Sequence, residues 1–108
     1  MNPSIKQAWI EALRSGEYKQ GTGCLREDDR YCCLGVLVDL HIKKHDLEWE
    51  KLGEDYHFDG SAATLPAVVL EWAGLHIDNP TVNGLALATW NDSGESFQWI
   101  ADLIEETL

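Results

Sequence analysis

The apolar residues of the first sixteen positions recur at three- and four-residue spacing: Ile5, Ala8, Trp9, Ala12 and Leu13. That period predicts an amphipathic helix with one face on a core. Its ends are punctuated, because Asn2 can cap, Pro3 suits the first helical position and Gly16 permits a left-handed stop. Polar residues then take over. The segment EYKQGTGCL sets glycines on both sides of a threonine, and LREDDRYCC divides two short apolar pieces with a charged turn. An irregular loop leading into a small hairpin, or a turn before the next helix, is expected there. From Cys32 to Lys44 the apolar positions Cys33, Leu34, Leu37, Val38 and Leu40 predict a buried helix, with Lys43 and Lys44 suited to its C-terminal end. Gly35 inside it costs about 1 kcal/mol against alanine, which points to the close approach of another backbone.

Residues 46–59, DLEWEKLGEDYHFD, alternate acids with Leu47, Trp49, Leu52, Tyr56 and Phe58 and predict an extended acidic excursion or short hairpin. Thr64 is then expected to cap, Leu65 and Pro66 to open a helix, and Gly74 to close it. Turns are predicted at Asn79-Pro80 and Asn83-Gly84, with short strands around Val82 and from Leu85 to Thr89. The last helix is expected to begin near Asp92, where D-S-G-E fits a capping box, and to bury Phe97, Ile100, Ala101 and Ile104. Four helices and a small antiparallel β element make a helix-rich α+β fold. The length of 108 residues fits one compact domain spanning 1–108.

Charge changes the picture more than composition does. The formal net charge is -11, and all eight basic residues lie in the first 51 positions, whereas residues 52–108 hold ten acids and no Lys or Arg. Direct nucleic-acid binding is therefore not expected, since it draws on clustered Lys and Arg. An acidic field of this kind can steer a basic partner. No apolar run is long enough to cross a bilayer, and MNPSIKQAW lacks the features of a signal peptide, so a cytoplasmic protein without a membrane role is expected. The three cysteines, 24, 32 and 33, are expected to be reduced.

The chain carries W-I-E-A-L-R-S-G-x-Y-x-Q, Y-C-C-L-G-V-L, L-P-x-V-V-x-x-W-A-G-L and W-N-D-S-G-E-S-F-x-x-I-A-D-x-I-E, in that order. With this set, running from Trp9 to Glu105, it resembles a family of small, mostly uncharacterised proteins encoded by tailed bacteriophages and prophages. Trp90 stands where the family pattern leads one to expect Leu before the N-D pair. The resemblance brings no catalytic residues. It implies a context: an accessory protein inside an infected host cell that counters host defence by sequestering a nucleotide signal, mimicking DNA or blocking a defence enzyme.

Candidate chemistry is sparse. Cys32 and Cys33 sit near a predicted helix start beside Arg30, but their flanks are apolar and packing is the expected role. His41 and His45 share a helical face, yet no C-x-x-C or H-E-x-x-H pattern accompanies them, and neither a metal nor a cofactor is expected. No catalytic signature appears. Two polar clusters remain. Tyr18, Lys19, Gln20, Arg26, Arg30 and Tyr31 surround the G-T-G at 21–23 and supply aromatic surface, amides and cations. Asn91, Asp92, Ser93 and Ser96 lie at the expected start of the last helix, with Asp92 as its cap.

These features favour a binder that captures a small nucleotide-like ligand without turnover. Burying such a ligand is easier for an oligomer, so a homo-oligomer is expected. Two alternatives follow from the same residues: an acidic DNA mimic that inhibits a host defence protein, and a small cysteine-dependent or nucleotide-cleaving enzyme.

Overall fold

Asn2 caps the first helix as its position predicts: its Oδ1 accepts from the N–H groups of Ser4 (2.9 Å) and Ile5 (3.2 Å) in the computed structural model, which describes residues 1–108. Five helices form: α1 (Pro3–Arg14), α2 (Cys33–Lys44), α3 (Ala67–Ala73), α4 (Leu87–Asp92) and α5 (Phe97–Thr107). Between them run β1 (Lys19–Gln20), β2 (Arg26–Glu27), β3 (Arg30–Tyr31), β4 (Glu50–Leu52), β5 (Asp55–His57), β6 (Thr81–Val82) and β7 (Leu85–Ala86). The architecture is α+β and helix-rich.

The core is one cluster of 21 buried apolar residues, with α2 at its centre. Every residue of α2 from Cys33 to Asp39 is buried, because helices meet it on several sides: α1, α3 and α4 all pack against it. The closest approach to α2 is at Gly35. A Cβ there would lie 1.8 Å from the Leu25 carbonyl oxygen, so the backbone just before β2 rests on bare helix backbone, the close approach that the glycine implied. α1 packs mainly on α5. Its buried stripe is Trp9, Ile10 and Leu13, and Ala8 faces solvent, so the face is turned from the expected one toward the larger Ile10.

Two small sheets sit on this helical body. The larger has the order β1-β3-β2-β5-β4, in which β1 runs parallel to β3 and the other pairs are antiparallel. It joins the charged 26–31 hairpin to the acidic 50–57 hairpin. The smaller pairs β6 with β7 around Asn83-Gly84.

Three sequence expectations are corrected. α3 starts at Ala67, with Pro66 at its cap position and no side-chain cap bond, so Thr64 does not cap it. Residues 87–89 are helical rather than extended. The third correction bears on the site. Asp92 ends α4, Gly94 takes a positive φ of 102° there, and α5 starts only at Phe97 with Ser96 as its cap. The D-S-G-E pattern stops one helix instead of starting the next, since glycine after a helix favours termination. No helix is long and apolar enough to cross a membrane.

Candidate functional site

The two polar clusters meet through one buried amide. Asn91 is 1% exposed, and its side chain uses its full bonding capacity. Its Oδ1 accepts from Gln20 Nε2 (2.9 Å) and from the Cys33 backbone N–H (3.2 Å). Its Nδ2 donates to the Gly21 carbonyl (2.8 Å) and to Asp92 Oδ1 (3.2 Å). Gln20 Nε2 also donates to the Glu95 carbonyl (2.7 Å), and the Gly23 N–H donates to Asp92 Oδ1 (3.2 Å). The G-T-G loop is thus fastened at both ends to α4 and the turn after it.

Two pockets flank that loop. On one side, Gln20, Gly21, Thr22, Glu27 and Arg30 line a space of about 200 Å³. On the other, a space of about 230 Å³ is bordered by Gly23, Cys24, Cys32, Thr64, Asn79, Thr89 and Asp92. The first offers a guanidinium with no ion-pair partner in the chain, an amide and a carboxylate. The second offers hydroxyls, an amide and the Asp92 carboxylate, groups suited to hydrogen-bond donors on a polar ring.

The remaining expected site residues serve other contacts. Tyr18 donates its hydroxyl to Asp39 Oδ2 (2.6 Å), Trp49 Nε1 donates to Asp39 Oδ1 (3.0 Å), and Lys43 Nζ lies 3.0 Å from Asp39 Oδ2. Burial alone would push the Asp39 carboxyl up, but these three donors hold it below the ordinary carboxylate range. Burial and the bond to Asp39 push the Tyr18 phenol up. Tyr31 sits edge-on between Tyr18 (5.0 Å) and Trp49 (6.3 Å). Arg26 covers the Tyr56 ring at 3.8 Å and donates to the Asp28 carbonyl, which ties the two hairpins together. Lys19 pairs with Asp29 at 2.8 Å. Ser93 bonds back to the Trp90 carbonyl, and Ser96 Oγ accepts from the Trp99 N–H. Gln20, Arg30, Asn91 and Asp92 therefore belong to the pocket pair or its frame; Tyr18, Lys19, Arg26, Tyr31, Ser93 and Ser96 do not.

The cysteine pair packs. Cys33 is fully buried and donates its thiol to the Leu87 carbonyl, while the Cys32 sulfur caps α2 by accepting from the Gly35 N–H. Burial pushes the Cys32 thiol up to about 11 and Cys33 well above the usual value, so both stay protonated at neutral pH. Three features escape the sequence reading. Asp39 carries a signal nonetheless, as the one acid inside an apolar helix. Thr64 and Asn79 reach the pocket from separate bends and Thr89 from α4, and none of the three carries a local signal. Cys24 Sγ and carboxylate oxygens of Glu27 and Asp55 lie within 4.8 Å of one another, a grouping created by the pairing of β2 with β5.

Comparison with known families places the chain. The family model described as a domain of unknown function, DUF8296, matches residues 1–108. The chain belongs to the DUF8296 family. No curated protein and no solved structure matches it. In this DUF8296 chain the Asn91 side chain fastens the Gly21 carbonyl to α4.

Proposed function

We propose that the protein is a phage-type binder that captures a small nucleotide-like ligand in the host cytoplasm and holds it without turnover. The observation that carries this reading is the pair of pockets beside the Gly21–Gly23 loop, a loop that Asn91 and Asp92 fasten to α4. Small-molecule sites occupy roughly 300–1,000 Å³, so the ligand spans both pockets rather than filling one. A base edge rich in N–H donors suits Asp92, Asn79, Thr64 and Thr89. Arg30 suits an anionic phosphate, and Glu27 beside it suits a sugar hydroxyl. The amino acids closest to a reactive role, the two cysteines, are held as thiols, which favours capture over covalent chemistry. A homo-oligomer remains part of the reading. Melting the protein with cyclic nucleotides, cyclic oligonucleotides and ADP-ribose derivatives tests it, with intact recovery of the ligand as the mark of capture.

A second reading has its own support. Glu48, Glu50, Glu54, Asp55 and Asp59 are exposed along the β4–β5 hairpin, with Lys51 their only basic neighbour in that stretch. This strip would engage the basic surface of a defence protein as an acidic mimic. Such binding weakens steeply with salt and is lost on charge reversal within 46–59; retention after reversal removes this reading.

A further inference from the structure

Trp72 is built into the surface differently from three of the other tryptophans. The indole N–H groups of Trp9, Trp49 and Trp90 donate to the Cys33 carbonyl, to Asp39 and to the Val82 carbonyl. The half-buried Trp72 makes no such bond, and its ring is the shared wall of two grooves. One, of about 360 Å³, includes Leu47, Val68 and Glu71; the other, of about 330 Å³, includes Ile5, Leu40 and Lys44. Leu47 and Val68 are 46% and 40% exposed, whereas Ile5 and Leu40 are half-buried. A more exposed apolar half and a more buried one therefore lie on opposite sides of one indole.

The charges repeat that arrangement. Lys44 on one side of Trp72 and Glu71 on the other carry opposite charges, and neither has an ion-pair partner in the chain. A twofold axis brings surface i of one copy against j of the other and j against i.

We propose that the Trp72 face is the interface between two copies of this chain, related by a twofold axis close to Trp72. Each copy's Lys44 then faces the partner's Glu71, and Leu47 and Val68 of each enter the groove beside Ile5 and Leu40 of the other. The same face suits self-association on charge grounds. Two bodies of formal charge -11 repel, and the two Lys44–Glu71 pairs offset part of that cost at the interface. The face lies at the C-terminal end of α2 and the ligand pockets at its N-terminal end, so the dimer leaves both pockets open. It rests on the ligand reading only in sharing the expectation of self-association.

Light scattering on a concentration series of the full chain tests the interface. The wild type is expected to show a dimer at moderate salt. Lys44→Glu or Glu71→Lys alone weakens it by about tenfold or more, because like charges are then juxtaposed in both symmetry-related pairs. The double variant Lys44→Glu/Glu71→Lys restores it. Both side chains are exposed, so all three variants are expected to fold, with wild-type circular dichroism and a cooperative melt, the single reversals melting lower only at concentrations where the wild type is dimeric. A second measurement needs no variant: amide exchange in α3 slows as protein concentration rises. A monomeric wild type, a dimer indifferent to the single reversals, a double variant without rescue, or α3 exchange independent of concentration overturns the proposal. A monomer that is still stabilised by a nucleotide sinks the interface and leaves the capture reading standing.

Discussion

At the scale of single residues, the structure depends on side chains whose surroundings leave them no alternative. Asn91 is the clearest. Its truncation to alanine strands the Cys33 N–H and the Gly21 carbonyl in or near the core and leaves the Gln20 amide only its bond to the Glu95 carbonyl. The expected cost is roughly 2–4 kcal/mol by urea denaturation, since several partners lose their bond together. Gly35→Ala is expected to be worse tolerated than its chemistry suggests. A methyl 1.8 Å from the Leu25 carbonyl oxygen must push backbone away from backbone, at about 3 kcal/mol or more, visible as loss of soluble folded protein or a large drop in melting temperature. His41 gives a pH signature. It is 3% exposed with an unpartnered Nδ1, and burial, followed by repulsion from His45, holds its pKa below the ordinary 6.5. The unfolded chain takes up that proton more readily than the folded one. Stability is therefore complete above the unfolded value and falls as pH drops below about 6.5. Urea midpoints are expected to decline over that range in the wild type, and the decline to be shallower in His41→Gln; parallel slopes contradict this role.

At the scale of elements, the helices with strong periodicity were legible and the shortest was not. α1, α2 and α5 announce themselves by apolar spacing and by Asn2, the Y-C-C-L-G run and the Phe97–Ile104 stripe. α4 has only six residues and no side-chain cap. Its sequence, LATWND, has little helical preference of its own. The element exists because Leu87 N–H reaches the Pro80 carbonyl, Ala88 N–H reaches Asn79 Oδ1 and the Trp90 indole reaches the Val82 carbonyl. Contacts of that kind cannot be read from local pattern. The same holds for the site. Gln20 and Asn91 stand in two polar clusters whose adjacency the sequence leaves open; the bond between them depends on α4, and its presence relocates Asp92 from helix cap to loop anchor. The hairpins show a further element-scale dependence. Arg26 lies over Tyr56, Tyr31 and Trp49, so Arg26→Ala is expected to speed amide exchange across Glu50–His57 while global stability changes by only about 1 kcal/mol. Unchanged exchange in that hairpin shows that β2–β5 pairing alone holds it.

At the scale of the whole molecule, a helical body centred on α2 carries three separable surfaces. The N-terminal end of α2 meets the loop and pockets framed by Asn91, the C-terminal end meets the Trp72 face, and the acidic hairpin extends the sheet on another edge. This separation allows the surfaces to be tested one at a time. The central claim is capture of a nucleotide-like ligand at the first of them, and it is tested most directly by thermal unfolding of the full chain against the nucleotide panel. The account expects one compound to raise the melting temperature strongly, to be recovered intact on denaturation, and to lose its effect in Arg30→Ala, an exposed substitution that leaves the unliganded melt unchanged. No shift across the panel, or recovery of a cleaved ligand, contradicts it.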